Sequence, residues 1–299
     1  MALIATGIGS GLDIEGLIGQ LMAAEATPVE QRLVKRETKI TQDISALGSL
    51  KGALADFQST LSSVNAIDTY EKRNASSSSA SAVSVSVTAD AAVGTFNLSV
   101  ASLAKSQSLA VRNQFSSVNE VVGTGTLTFT LGTTSYTSNA NTANDTYGGF
   151  VAKAGAASKT VTIDSSNSTL SGVRDAINAA DIGVSAAIVN DGTSFRLLIS
   201  NNSTGAENSL QINVSDSGDS NDTDQSGLSR LAFNSSAGTT NVYQTTAASD
   251  AAFTINGLSL TSTGNTVTDA VTGMTLTLKE ITSSADISVT DNQSGIKQA

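Results

Sequence analysis

The chain contains no cysteine, no histidine, no tryptophan and a single proline. Each absence excludes something. Without cysteine there is no disulfide framework and no thiolate metal site. Without histidine the commonest general base and metal ligand is missing, and a Ser–His–Asp site is impossible. Carboxylate pairs of the glycosidase type stay open on this reasoning, but nothing in the sequence singles one out. No catalytic, cofactor-binding or metal-binding residue is assigned, and the chain is not expected to be an enzyme. No stretch of about 18 apolar residues exists, so no membrane span is expected. The start, Met1-Ala2-Leu3-Ile4-Ala5, lacks a basic region and a long apolar run, so no cleaved signal peptide is expected either. A net charge of −10 argues against nucleic acid as a partner.

What is present divides at about residue 73. Of 16 basic and 26 acidic residues, 7 and 9 fall at or before Arg73, leaving 9 and 17 beyond it. The first part is charge-mixed. The second is acidic and rich in hydroxyl side chains, which suits a solvated extracellular surface. At 299 residues there is room for two or more domains, with 39% hydrophobic residues to build cores but only 4% aromatics.

The first part carries a helical stripe. Leu33, Ile40, Leu47, Leu54 and Leu61 recur every seven residues, and Ile44, Leu50, Phe57 and Val64 fill in the same face. That is a coiled-coil pattern, and a lone helix cannot bury it. No other long helical pattern exists in the chain, so the partner must come from another chain or from sequence beyond this one. Gly7-Ile8-Gly9-Ser10-Gly11 reads as a flexible lead-in rather than a dinucleotide-binding turn, because no strand precedes it. Ser10 and Asp13 read as a helix start, with Ile14, Leu17, Ile18, Leu21 and Met22 on one face. Thr27, Pro28 and Glu30 read as a second start: cap, first residue and capping box. Two helices, over 12–26 and 28–66, are therefore expected, joined at a kink.

Asn74 to Ser79 reads as a hinge. Beyond it, period-two patterns predict antiparallel strands: Val83, Val85, Val87; Phe96, Leu98, Val100; Leu127 to Leu131; Leu210, Ile212, Val214; Met274, Leu276, Leu278; and Ile287, Val289. The tract from Leu131 to about Ser158 shows little pattern. Leu170 to Ala179 is the one convincing helix here. Asn190-Asp191-Gly192 and Asn256-Gly257 mark hairpins. Asp216, Asp219, Asp222 and Asp224 do not have calcium-loop spacing and read as a solvated loop. The fold class expected is α+β: an N-terminal helical coiled-coil leg and a mainly antiparallel β head of two domains.

Three stretches carry a resemblance. Gly7 to Ile14 with Leu17, Leu21, Glu25 and Pro28 resembles the N-terminal signature of the flagellar hook-associated protein 2 family, the filament-capping proteins of bacterial flagella. Leu170 to Asn178, then Gly183-Val184 and Leu197 to Ile199, is similar to an insert motif of flagellins and hook proteins. Phe253 to Gly257, Asn265 to Val271 and Gly273 to Leu278 resemble the start of the family's C-terminal region. The resemblance implies an extracellular cap at the filament tip, exported without a cleaved signal. It implies a homo-oligomeric ring of about five subunits, with flagellin and a flagellar export chaperone as partners. It also implies C-terminal helices returning to pair with the leg, which Ile296 to Ala299 stops short of. A chain that leaves and re-enters a leg brings both ends of its head together. The expected domains are thus 1–27 (flexible N-terminus and first leg helix), 28–75 (long helix and hinge), 76–112 plus 248–295 (inner head) and 113–247 (outer head). The assembly interface is expected at Leu17, Leu21, Leu33, Ile40, Leu47, Leu54 and Leu61. A flagellin-like or hook–filament junction protein and an extracellular adhesin are the alternatives.

Overall fold

The computed structural model describes residues 13–64 and 72–292. They fall into two units, the N-terminal helix and residues 71–292. The helix, α1 (Ile14–Val64), runs for 51 residues, or about 77 Å at 1.5 Å per residue. Its start is Asp13, whose Oδ1 accepts from Gly16 N at 2.8 Å. Ser10 and the glycine-rich lead-in lie outside the described residues.

The expected break at Pro28 is absent: Pro28 sits inside one helix. Thr27 is helical and caps nothing. Proline removes one donor, which leaves the Ala24 carbonyl without its usual partner. Good helix formers surround the position (Ala23, Ala24, Glu25 and Ala26), and Arg32 Nε donates to the Pro28 carbonyl at 3.2 Å. Further along, Thr38, Ser45, Ser49 and Ser62 donate to carbonyls four residues back, so these weak helix formers spend their hydroxyls inside the helix.

The second unit holds β1 (Arg73–Ser77), β2 (Val83–Val87), β3 (Gly94–Ser102), β4 (Ser108–Val111), β5 (Gly125–Thr137), β6 (Thr146–Ala152), β7 (Lys159–Ile163), α2 (Leu170–Ala179), β8 (Val184–Asn190), β9 (Phe195–Asn201), β10 (Ser209–Asp216), β11 (Phe233–Asn234), β12 (Thr239–Thr240), β13 (Val242–Thr246), β14 (Ala251–Ile255), β15 (Leu258–Ser262), β16 (Thr266–Val271), β17 (Met274–Leu278) and β18 (Thr282–Asp291). Every strand pairing among the described residues is antiparallel.

Two cores form. The first lies between the sheets β1-β18-β3-β14-β15 and β16-β17-β2, and is filled by Val83, Leu98, Val100, Phe253, Leu276 and Ile287 among others. The second gathers α2 with the sheets β12-β11-β10-β5-β6 and β13-β4-β9-β8, and is filled by Leu109, Leu127, Leu170, Ile177, Leu197 and Ile212 among others. The chain passes between them twice, and the two passages bond to each other: Lys105 N to Ser249 O at 2.9 Å and Ser249 N to Lys105 O at 3.1 Å.

Three sequence expectations shift. Arg73–Ser77 is a strand and not part of a hinge; its small side chains carry no pattern, and the β18 backbone opposite imposes the conformation. The patternless tract contains β6, which pairs with the outer half of β5; Gly148 and Gly149 interrupt any alternation there. The division at 112/113 falls too late, because β4 pairs with β9 and β13 and puts Leu109 and Val111 in the second core.

Two local devices order the second core. Thr169 caps α2, its Oγ1 accepting from Gly172 N at 3.1 Å. Asn178 fastens α2 to β8 with two bonds: Nδ2 to Ala186 O at 2.9 Å, and Oδ1 from Ala186 N at 2.8 Å. Asn178→Ala would leave both Ala186 backbone groups unpaired in a half-buried place, at a cost of about 2 kcal/mol. Urea unfolding followed by the β-sheet circular dichroism signal should show a lower midpoint with an unchanged slope.

In the turn after β8, the Asp191 carboxylate accepts from Thr193 N, Ser194 Oγ, Ser194 N and Thr193 Oγ1 at 2.8 to 3.0 Å. These bonds, the Thr193 amide foremost, hold its pKa well below the usual carboxylate range. A depressed folded-state pKa gives stability that is fully present above the unfolded value, about 3.9, and is lost as the pH falls through the folded one. Amide exchange of Thr193 and Ser194 should therefore stay protected at neutral pH and loosen only in strong acid. In Asp191→Ala that acid-dependent step should vanish.

Candidate assembly surface

The stripe lies open on α1. Leu17, Leu21, Leu33, Ile40, Leu47, Leu54 and Leu61 are each between 49% and 66% exposed. The structure thus places all seven expected interface residues on one helix and at its surface, Leu17 and Leu21 on a different face from the other five, and none of them buried among the described residues. Val29, 46% exposed and four residues before Leu33, extends the stripe toward Pro28.

The geometry limits what can cover this surface. Seven residues fall about 20° short of two turns, so from Leu33 to Leu61 the stripe rotates by about 80°. A partner helix must follow it with a left-handed supercoil. The spacing also changes phase at Leu47. Ile40, Ile44 and Leu47 are spaced four then three, whereas Leu47, Leu50 and Leu54 are spaced three then four. Two consecutive steps of three overwind a coiled coil locally. Carboxylates flank the stripe at Glu25, Glu37 and Asp43, each beside an apolar groove.

The acidic tract after β10 is not a solvated loop throughout. Asp216 is buried, and its carboxylate accepts from Gly218 N at 2.7 Å, Leu228 N at 2.6 Å and Ser229 N at 3.1 Å. Asp224 Oδ1 accepts from Ser226 N at 3.1 Å, and Asp222 Oδ1 accepts from Asp216 N at 2.7 Å. These oxygens tie the loop to its own backbone. Among the described residues no group of three or more acidic side chains is placed to hold a metal ion. No helix among them is long and apolar enough to cross a membrane.

Residues 10–107 match the family model for the flagellar hook-associated protein 2 N-terminus, and residues 248–299 match the model for its C-terminus. The chain belongs to the flagellar hook-associated protein 2 family. The B-type flagellar hook-associated protein 2 of Pseudomonas aeruginosa is 31% identical over 99% of this chain and 59% of its own length. This chain therefore spans about three-fifths of that relative. The Escherichia coli K12 hook-associated protein 2 is 30% identical over 90% of this chain and 52% of its own. Among solved structures, the D1-D2-D3 domains of the Escherichia coli flagellar cap protein superpose with a TM-score of 0.66 at 28% identity, covering 85% of this chain and 65% of that one. The Pseudomonas aeruginosa PAO1 protein gives a TM-score of 0.55 at 29% identity, over 73% of this chain and 88% of that one. The two family matches end and resume at 107 and 248, close to the points where the chain crosses between cores.

An isolated helix with an uncovered stripe gains nothing from packing and is marginal in water. In a dilute, verified monomer of this chain, the amides of Ile40, Leu47 and Leu54 should exchange within seconds to minutes. Those of Leu98 and Ile212 should be protected for far longer. Strong protection of the stripe in the monomer would contradict the reading of α1 as a partner-dependent element.

Proposed function

We propose that this chain is the leg and head of a flagellar filament cap, a structural and non-enzymatic protein at the filament tip outside the cell. In this reading the legs attach the cap through Leu17, Leu21, Leu33, Ile40, Leu47, Leu54 and Leu61. The heads of about five copies form a ring, beneath which exported flagellin is guided into place. The first core, from 72–107 and 248–292, is the inner head domain, and the second, 108–247, is the outer one. Export proceeds without a cleaved signal and with an export chaperone.

The observation that carries this reading is the contrast in burial. The β unit fills two aliphatic cores of its own, whereas α1 keeps its five-residue heptad line, and Leu17 and Leu21 besides, uncovered. Such a helix is built to be completed by a partner. Membership of a family whose solved members are described as flagellar cap proteins supplies the context.

Replacing Leu47 and Leu54 by Asp in the full-length protein tests it. Each charge would enter a packed seam at a cost on the order of several kcal/mol. The double variant should be exported, fail at the tip and leave unpolymerised flagellin in the medium. Filaments of normal length would overturn the docking role of the stripe.

A further inference from the structure

A cleft of about 440 Å³ opens between β15 and β16, the edge strands of the two sheets around the first core. The short stretch 263–265 joins these strands, yet they do not pair with each other. Asn256 and Gly257, with φ of 49° and 82°, form the two-residue turn between β14 and β15. In such a hairpin Ile255 and Leu258 exchange both backbone bonds, and so do Phe253 and Leu260 two residues on. The alternation turns the N–H and C=O of Thr261 away from β14, toward the cleft.

The opposite lip follows the same logic. Leu278 N donates to Asn265 O at 2.8 Å. That fixes Val267 and Leu276, two residues further along the ladder, as a bonded pair. Thr266 and Thr268 then direct their backbone groups away from β17. Thr261, Thr266 and Thr268 all line the cleft, over an apolar floor of Phe253, Leu260 and Val267.

We propose that this cleft takes an extended segment of another polypeptide as an added strand. Two facing rows of unpaired N–H and C=O groups match a peptide backbone in both directions. Alternation on each lip sets the sequence taken: apolar side chains toward Phe253 and Val267, small or hydroxyl-bearing ones toward solvent. The occupant is an extended chain segment, and the assignment stands independently of the capping role.

The probe is an acetylated, amidated eight-residue peptide of alternating valine and serine, added to the whole chain. Amide exchange at Thr261, Thr266 and Thr268 should slow by about ten-fold or more at saturation. Thr268→Pro removes an outward N–H while sparing the bonds to β17, and should weaken peptide binding by about ten-fold. Thr266→Pro, at the first residue of its strand, is the second variant. An unchanged thermal midpoint identifies which of the two is folded. No protection at millimolar peptide, or unaltered affinity in a folded proline variant, would overturn the proposal. So would protection of these amides that rises with chain concentration in the absence of peptide, since the occupant would then be a second copy.

Discussion

The pairing of β1 with β18 is the constraint on which the β unit depends. Arg73 lies opposite Asp291 and Ser77 opposite Ile287, so the first and last described strands of the unit share one ladder. The Arg73–Asp291 ion pair at 2.6 Å marks its end. Asp291 is 60% exposed there, which limits that pair to about 0–1 kcal/mol. The hold comes from the ladder itself and from Ala75, packed against the core that buries Ile287 and Val289. Everything between residues 78 and 286 is then a closed excursion that starts and finishes at one place.

Residues 71–292 illustrate what a single sequence discloses. Strands with one wet face were legible, because burial forces alternation: Met274, Leu276 and Leu278 point into the core while Thr275 and Thr277 do not. The two hairpins and α2 were legible for the same local reason, since Asn256-Gly257 needs left-handed backbone and Leu170, Val173 and Ile177 share a face. β1, β4 and β6 were not legible as placed. Their residues are small, few or interrupted by glycine, and they are strands because a neighbour's backbone makes them so. On α1 the seven residues expected at an interface are all exposed, Leu17 and Leu21 on a different face from the heptad line, but Pro28 was overweighted. A proline costs a helix one bond and a local clash, about 3 kcal/mol, and that cost is spread over a 51-residue element.

Magnitudes separate the two units. Fully burying one leucine or isoleucine is worth about 1.5–3 kcal/mol, so the five residues from Leu33 to Leu61 at seven-residue spacing withhold on the order of 10 kcal/mol from the isolated helix. That is comparable with the net stability of a whole domain. The helix is thus a conditional element, whose order is tied to what covers it. The phase change at Leu47 adds a constraint on that cover, since a partner in register with Ile40 and Ile44 must overwind to stay in register with Leu54 and Leu61.

The second core interrupts the first without disturbing it, and the reason is geometric. Its two connections leave next to each other, bonded through Lys105 and Ser249, while β3 and β14 continue to pair on the near side. An insertion whose ends are already held one strand spacing apart adds no closure cost to its host. Its size can change without altering the ladder between β1 and β18. The family matches stop at 107 and resume at 248, which is where such an insertion can differ freely while the helix and the first core keep their form.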